Sequence, residues 1–159
     1  AFGWRDLTNR RDRIELGGLE VQLVGVDDPH LERDEMPASA EPSVRDHGGV
    51  LRLGVAHAPY RRVLDSFVDD GADLILAGHT HGGQVCLPGG GALTTNCDLE
   101  PGRAKGLHRH PAASRPGDPG SSWMHVSAGL GTNPYVRFRL ACRPEATLMT
   151  FTPRPPAGS

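Results

Sequence analysis

Residues 51–78 hold the pattern that restricts this chain most. Two short apolar runs, LRLGVA and ADLILAG, each end at a histidine and are joined by a segment with helical spacing. Apolar runs of this length bounded by turn signals fit strands buried on both faces. Between them, Pro59 suits a first helical turn, and Val63, Leu64, Phe67 and Val68 recur on one helical face. Gly71 stands where a helix ends in the left-handed conformation. Strand, helix and strand in so short a span imply two parallel strands joined by a right-handed crossover. The surrounding domain must then be α/β. Both histidine loops leave the carboxyl ends of their strands, the edge at which open α/β sheets bind ligands.

The flanking sequence adds strands more than helices. RIELGGLEVQLVGV alternates apolar and polar residues about Gly17-Gly18 and predicts a hairpin. Asp27 to Gly49 is polar and proline-containing, and is expected to be a loop with one helical turn. Beyond the second histidine loop, QVCLP predicts a short strand, residues 101–122 an exposed Pro/Gly/Arg/His-rich excursion, and SWMHVSAGLG, VRFRLAC and EATLMTF three further strands. A single domain over 1–159 is expected, with 152–159 a disordered tail.

Composition narrows the partners. The net charge is −2, and only one of the 17 basic residues is lysine. No basic stripe runs along any element, so a nucleic-acid partner is not expected. Cys86, Cys97 and Cys142 show no metal-binding spacing, and a reducing, cytoplasmic setting is the simplest expectation. No apolar run approaches the roughly 20 residues of a membrane helix. The opening AFGWRDLTNRRDR lacks both an initiating Met and the layout of a secretory leader, and reads as part of a longer chain.

The densest chemical signal is Gly78-His79-Thr80-His81-Gly82-Gly83-Gln84. Two histidines at i and i+2 just past a buried strand are poor core residues. Imidazole is neutral near pH 7 and is a common ligand for Zn, Fe and Mn. From an extended loop the two rings project oppositely, which suits two adjacent cations better than one. Gly78, Gly82 and Gly83 would support a sharp turn and a close approach to a ligand. His57 ends the neighbouring strand, about 4.8 Å away at sheet spacing, and can reach the same cleft. His57, His79 and His81 are therefore the candidate metal ligands; no catalytic acid or base stands out.

These residues resemble a known family. GHTHGGQ is similar to the last metal motif of calcineurin-like metallophosphoesterases, in a bacterial branch that carries that heptapeptide, and AHAPY resembles the preceding histidine motif. SAGLGTNPYVRFRLACRPEATLMTF and GVDDPHLERD resemble further segments of the same branch. The resemblance runs from about residue 21 to about 151. It implies the carboxyl-terminal half of an α/β/β/α sandwich with a mixed sheet and few helices. It also implies a dinuclear site of two divalent ions (Mn, Fe or Zn), with His57 and His79 on one and His81 on the other, and hydrolysis of a phosphoester substrate.

The resemblance also exposes what the sequence lacks. The family's Gly-Asp-x-x-Asp and Gly-Asn-His-Asp motifs are absent. Asp28-Pro29-His30 fits the family's Asp-x-His motif only literally, because no bridging aspartate follows before His57. Two cations at close range with no carboxylate between them repel. The chain alone is therefore expected to hold none, or one weakly, and to be inactive. The amino-terminal half of the domain would be the missing partner, and the sheet face it leaves open could support a homodimer. The alternatives are a non-catalytic metal-binding module and a mononuclear three-His hydrolase.

The remaining polar residues are expected to be peripheral. His108, His110 and His125 are assigned to the surface, Asp98 and Glu100 to solvent, and Asp69, Asp70 and Asp73 to caps or solvent. Cys86 is expected to be buried. Asn133 and Arg137, after a turn, are placed as possible substrate contacts.

Overall fold

The computed structural model of the protein describes residues 3–39, 49–88 and 91–152. It contains a six-stranded mixed sheet and one α-helix, a strand-rich α/β arrangement as the sequence predicts. The strands are β1 (Arg10–Leu16), β2 (Leu19–Gly25), β3 (Leu51–Val55), β4 (Leu74–Ala77), β5 (Gly106–His110) and β6 (Ser122–Val126). Their order across the sheet is β1-β2-β3-β4-β6-β5. The four central strands β2, β3, β4 and β6 are mutually parallel, and antiparallel β1 and β5 close the two edges.

Helix α1 (Arg61–Asp69) lies between β3 and β4, as the 51–78 pattern requires. Its apolar stripe, Val63, Leu64, Phe67 and Val68, is buried against Val24, Ile75, Met124 and Val126 of the sheet. Phe67 is 0% exposed. A Cβ on Gly54 would stand 2.8 Å from the Phe67 ring, so β3 needs glycine for the helix to seat. The helix begins at Tyr60 with no side-chain cap of its own. The carboxylate of Asp98 accepts from the Arg61 N–H instead, while Asp98 stays exposed as expected. It ends as expected: Gly71 has φ +84°, and the N–H groups of Gly71 and Ala72 donate to Val68 and Phe67 carbonyls.

The opposite sheet face is also apolar. Val21, Leu53 and Leu74 are buried there, with Ile14, Leu19, Leu23, Leu51, Leu76 and Met149 half-buried around them. Alternation along β2, β3 and β4 therefore supplies two apolar faces, and the helix covers one.

Several expectations fail for physical reasons. The 101–122 span is not only an exposed excursion: it contains β5, an edge strand templated by the full ladder to β6 from Gly106↔Val126 to His110↔Ser122. QVCLP forms only isolated bridges, Val85 to Leu140 and Cys86 to Ala92. Of the three late strands, only the first, β6, forms. VRFRLAC and EATLMTF have strand-like alternation, but among the described residues VRFRLAC makes only the isolated bridge at Leu140 and EATLMTF joins no ladder. His110 and His125 are 5% and 6% exposed, not surface residues. His110 sits against the Asp65 carboxylate at 2.7 Å, and burial, the largest influence on His125, lowers its pKa. The expected tail lies almost wholly outside the described residues.

Candidate metal-binding edge

The four parallel strands discharge their loops at one edge. The ladder extends past each strand end: Val26 donates to Val55, Ala56 to Leu76, Gly78 to His57 and Ser127 to Ala77. These bonds hold the Asp27–His30 turn, His57, the His79–Gly83 loop and the Ala128–Gly131 turn side by side.

His57 and His79 meet directly. His57 Nε2 lies 2.9 Å from His79 Nδ1, with ring centroids 4.8 Å apart and nearly perpendicular. His79 Nε2 lies 3.2 Å from the Asn96 carbonyl oxygen and 3.1 Å from its Nδ2. Desolvation, then the neighbouring His57 and His30, push the His79 pKa down. His81 is also held low, first by burial, then by the Arg139 charge and then by His57. Both rings are thus biased to the neutral form that coordinates cations.

The loop holding these rings is built unlike ordinary turns. His79, His81 and Gln84 all have positive φ (+67°, +50° and +53°), which side chains other than glycine rarely adopt. Such local strain persists where surrounding contacts over-determine it. The contacts are present. Thr80 Oγ1 donates to the Ala104 carbonyl at 2.6 Å and accepts from the Gly82 N–H at 3.3 Å. A Cβ on Gly82 would stand 2.8 Å from Cys142 Sγ, and one on Gly83 would overlap the Ala92 Cβ at 2.0 Å. Glycine is therefore required at both. Gly78 has no such requirement, since a Cβ there would sit 3.7 Å from the His57 oxygen.

The structure brings in residues beyond the three candidate ligands. His30, in the Asp28-Pro29-His30 turn, packs against His79 with centroids 4.7 Å apart and the rings tilted by 40°, and bonds Tyr60 through Nδ1 at 2.9 Å. Asp28 caps the short 3-10 turn, accepting from the His30 N–H. Asn96 arrives from a loop 17 residues beyond His79. Buried Gln84, the last residue of the heptapeptide, binds the carboxyl-terminal segment: its side chain donates to the Val136 carbonyl and accepts from the Asn133 N–H at 2.7 Å. The Asn133 side chain accepts from the Tyr135 N–H at 2.9 Å, and Arg137 Nε donates to the Pro134 carbonyl at 3.4 Å. Cys86 and Cys142 are buried free thiols whose Sγ atoms each lie 3.4 Å from the Gly82 oxygen. Among the described residues, no set of three His, Cys, Asp or Glu side chains has the arrangement of a metal site. Among the described residues, the edge thus offers nitrogen donors without a full set of ligating side chains around one point.

The chain is 30% identical over 142 residues to the uncharacterized metallophosphoesterase YkoQ of Bacillus subtilis (strain 168), an alignment covering 89% of this chain and 47% of YkoQ. It is also 33% identical over 88 residues to the uncharacterized protein YpbG of the same organism, covering 54% of this chain and 31% of YpbG. This chain is related to a metallophosphoesterase, and it spans under half the length of either relative. No protein-family profile matches it. No solved structure matches it either. No helix among the described residues is long and apolar enough to cross a membrane.

Proposed function

We propose that this chain supplies His57, His79 and His81 to the divalent-metal site of a phosphoester hydrolase. The observation that supports this most is the 2.9 Å approach of His57 Nε2 to His79 Nδ1 at the edge where four parallel strands end. Two ring nitrogens so close need either one proton between them or one cation taking both lone pairs. In the second case the His79 Nε2–H donates to the Asn96 carbonyl, an outer contact that fixes the ring and raises its basicity. His81 is the third ligand, held neutral in the next turn of backbone. When bound, divalent ions lower the pKa of an attacking water and neutralise phosphoryl oxygens.

The remaining ligands, carboxylates above all, would come from sequence beyond these 159 residues, as would the cover for the second apolar face. A second copy of the chain on that face is the competing occupant.

Calorimetric titration with Mn2+ and Zn2+, beside the same titration of His79→Ala, tests the reading. A single weak site in the unsubstituted chain, lost in His79→Ala, is expected. Hydrolysis of a chromogenic phosphodiester by the isolated chain should be negligible. Uptake that is identical in both proteins defeats the ligand assignment, and robust metal-dependent turnover defeats the claim that the site is incomplete.

A further inference from the structure

Arg139 has no obvious role in the sequence, yet it makes the most connected side-chain contact near the histidine edge. Its Nη1 donates to the His81 carbonyl at 3.0 Å and reaches the Arg143 carbonyl at 3.4 Å and Cys142 Sγ at 3.7 Å. Its Nη2 donates to the carbonyls of Ala128 at 2.7 Å, Gly129 at 3.0 Å and Gly131 at 2.5 Å. Its Nε donates to Gly131 at 3.1 Å. A guanidinium has five N–H donors in a fixed fork. Here they point at main-chain oxygens of three segments: the histidine loop, the turn after β6 and the carboxyl-terminal segment.

Two consequences follow. With its donors engaged by carbonyls, this guanidinium has none left to clamp a substrate oxygen. No carboxylate among the described residues pairs with it, so its charge is spread over carbonyl dipoles close to His81. Carbonyls alone are enough to hold it, and they belong to the backbone whose shape the site needs.

We propose that Arg139 is the positioning residue of the histidine edge, gripping the His81 carbonyl and the Ala128–Gly131 turn so that His81 keeps its left-handed backbone and its place beside His57. The energetic logic is that of a local strain that surrounding bonds must over-determine. His81 is not glycine, and φ +50° there is kept by the bond to its carbonyl on one side and by Gly82 and Gly83 on the other. Lysine cannot substitute, because one ammonium with three donors cannot span carbonyls that fan across a planar fork.

The inference rests on the metal-site proposal for its purpose but not for its geometry, and the experiment separates the two. In the unsubstituted chain without metal, NMR should show slowly exchanging, separately resolved Arg139 Nη protons. Carbon shifts of His81 should be those of a left-handed residue. Arg139→Gln and Arg139→Lys should both move the His81 and Gly82 shifts toward ordinary values and weaken Zn2+ binding by about 10–100-fold, the usual cost of losing an outer-shell contact. A merely structural role would lower the urea midpoint while leaving the His81 shifts and the Zn2+ affinity of the folded fraction intact. Freely exchanging Arg139 protons in the unsubstituted chain overturn the proposal, a measurement that survives even if both variants fail to fold. So do unchanged His81 shifts and Zn2+ affinity within twofold in the variants. If the unsubstituted chain takes no Zn2+ but the shifts still move, the metal reading fails and the positioning of His81 stands.

Discussion

The β3–α1–β4 unit and the segment from Gly129 to Thr152 carry similarly strong patterns and end up as opposites. In the first, apolar runs become strands and the helix buries its stripe, with Phe67 fully enclosed. In the second, VRFRLAC and EATLMTF alternate as strands do, yet no ladder forms, and Tyr135 and Leu148 are 92% and 93% exposed. The segment is held instead by side-chain bonds from Gln84 and Arg139 and by main-chain bonds at Leu140, Cys86 and Glu145. The difference shows what alternation can and cannot decide. It says which face of a segment is apolar, but a strand also needs an open edge for its N–H and C=O groups. The first unit has β2 and β6 on either side, whereas the second meets the rest of the described residues at one isolated bridge, Val85 to Leu140, and joins neither outer edge of the sheet.

The largest predicted effect lies in the first region. Phe67→Ala empties a fully buried ring site over Gly54 and should cost about 3–5 kcal/mol. Urea unfolding followed by circular dichroism would read it, with the slope checked for constancy. Loss of under about 1 kcal/mol would mean the helix is not the keystone of the described core, and the contrast between the two regions would break.

The edge strand β5 sharpens the contrast from the other side, because its sequence looks like loop and it folds. It is tied to α1 through His110 and Asp65, 45 residues apart. Asp65→Ala leaves the nearly enclosed His110 nitrogen short of its partner, and should cost about 1 kcal/mol, the low end for a lost buried bond because water reaches the aspartate. Amide exchange confined to Gly106–His110 should rise more than exchange in β3. Uniform change across the sheet would show that β5 is not separately anchored.

Legibility follows the same line. The order strand, histidine, helix, strand, histidine could be read because each local preference agrees with its neighbours, and position after a parallel strand already placed His57 and His79 at one edge. β5 could not, because GLHRH is polar enough to pass for loop and becomes a strand only when β6 offers its edge. The burial of His110 and His125 is not legible, since nothing local announces it or a partner far along the chain. His30 is legible as part of Asp-x-His, but the motif's companions are absent from the sequence. Its contact with His79 depends on β2 and β4 ending together, which is tertiary information. Arg139 has no local signal at all, because main-chain oxygens, its principal partners, leave no trace in a sequence, and Asn96 meets the His79 ring only through tertiary packing.

Acid should affect the histidine edge and the second sheet face. His79, His81 and His125 all have lowered folded-state pKa values, chiefly through burial. Between those values and the unperturbed value near 6.5, the unfolded chain binds more protons than the folded one. Their contribution is therefore complete above about pH 6.5 and is lost as pH falls below it toward the folded values. The urea midpoint should be flat from pH 7 to 8 and decline from pH 6.5 to 5. His125→Gln should remove part of that decline without touching the candidate ligands. A midpoint that rises on acidification would contradict the lowered values of the three rings.

The smallest predicted effect tests the second region directly. Leu148 projects into solvent, and exposed substitutions away from caps and networks change stability by under about 0.5 kcal/mol. Leu148→Ala should therefore leave the urea midpoint of the isolated chain unchanged. If another protein segment covers this stretch in a longer polypeptide, or if two copies meet here, the same substitution should cost more there, in proportion to the apolar area newly buried. Measuring it in the isolated chain across a range of concentrations separates the cases. An effect that grows with concentration indicates self-association, and a concentration-independent cost above about 1 kcal/mol would mean the segment packs on the domain after all. A null effect in the isolated chain that becomes substantial in a longer protein would show that the alternation in VRFRLAC and EATLMTF is written for a neighbour these 159 residues do not contain.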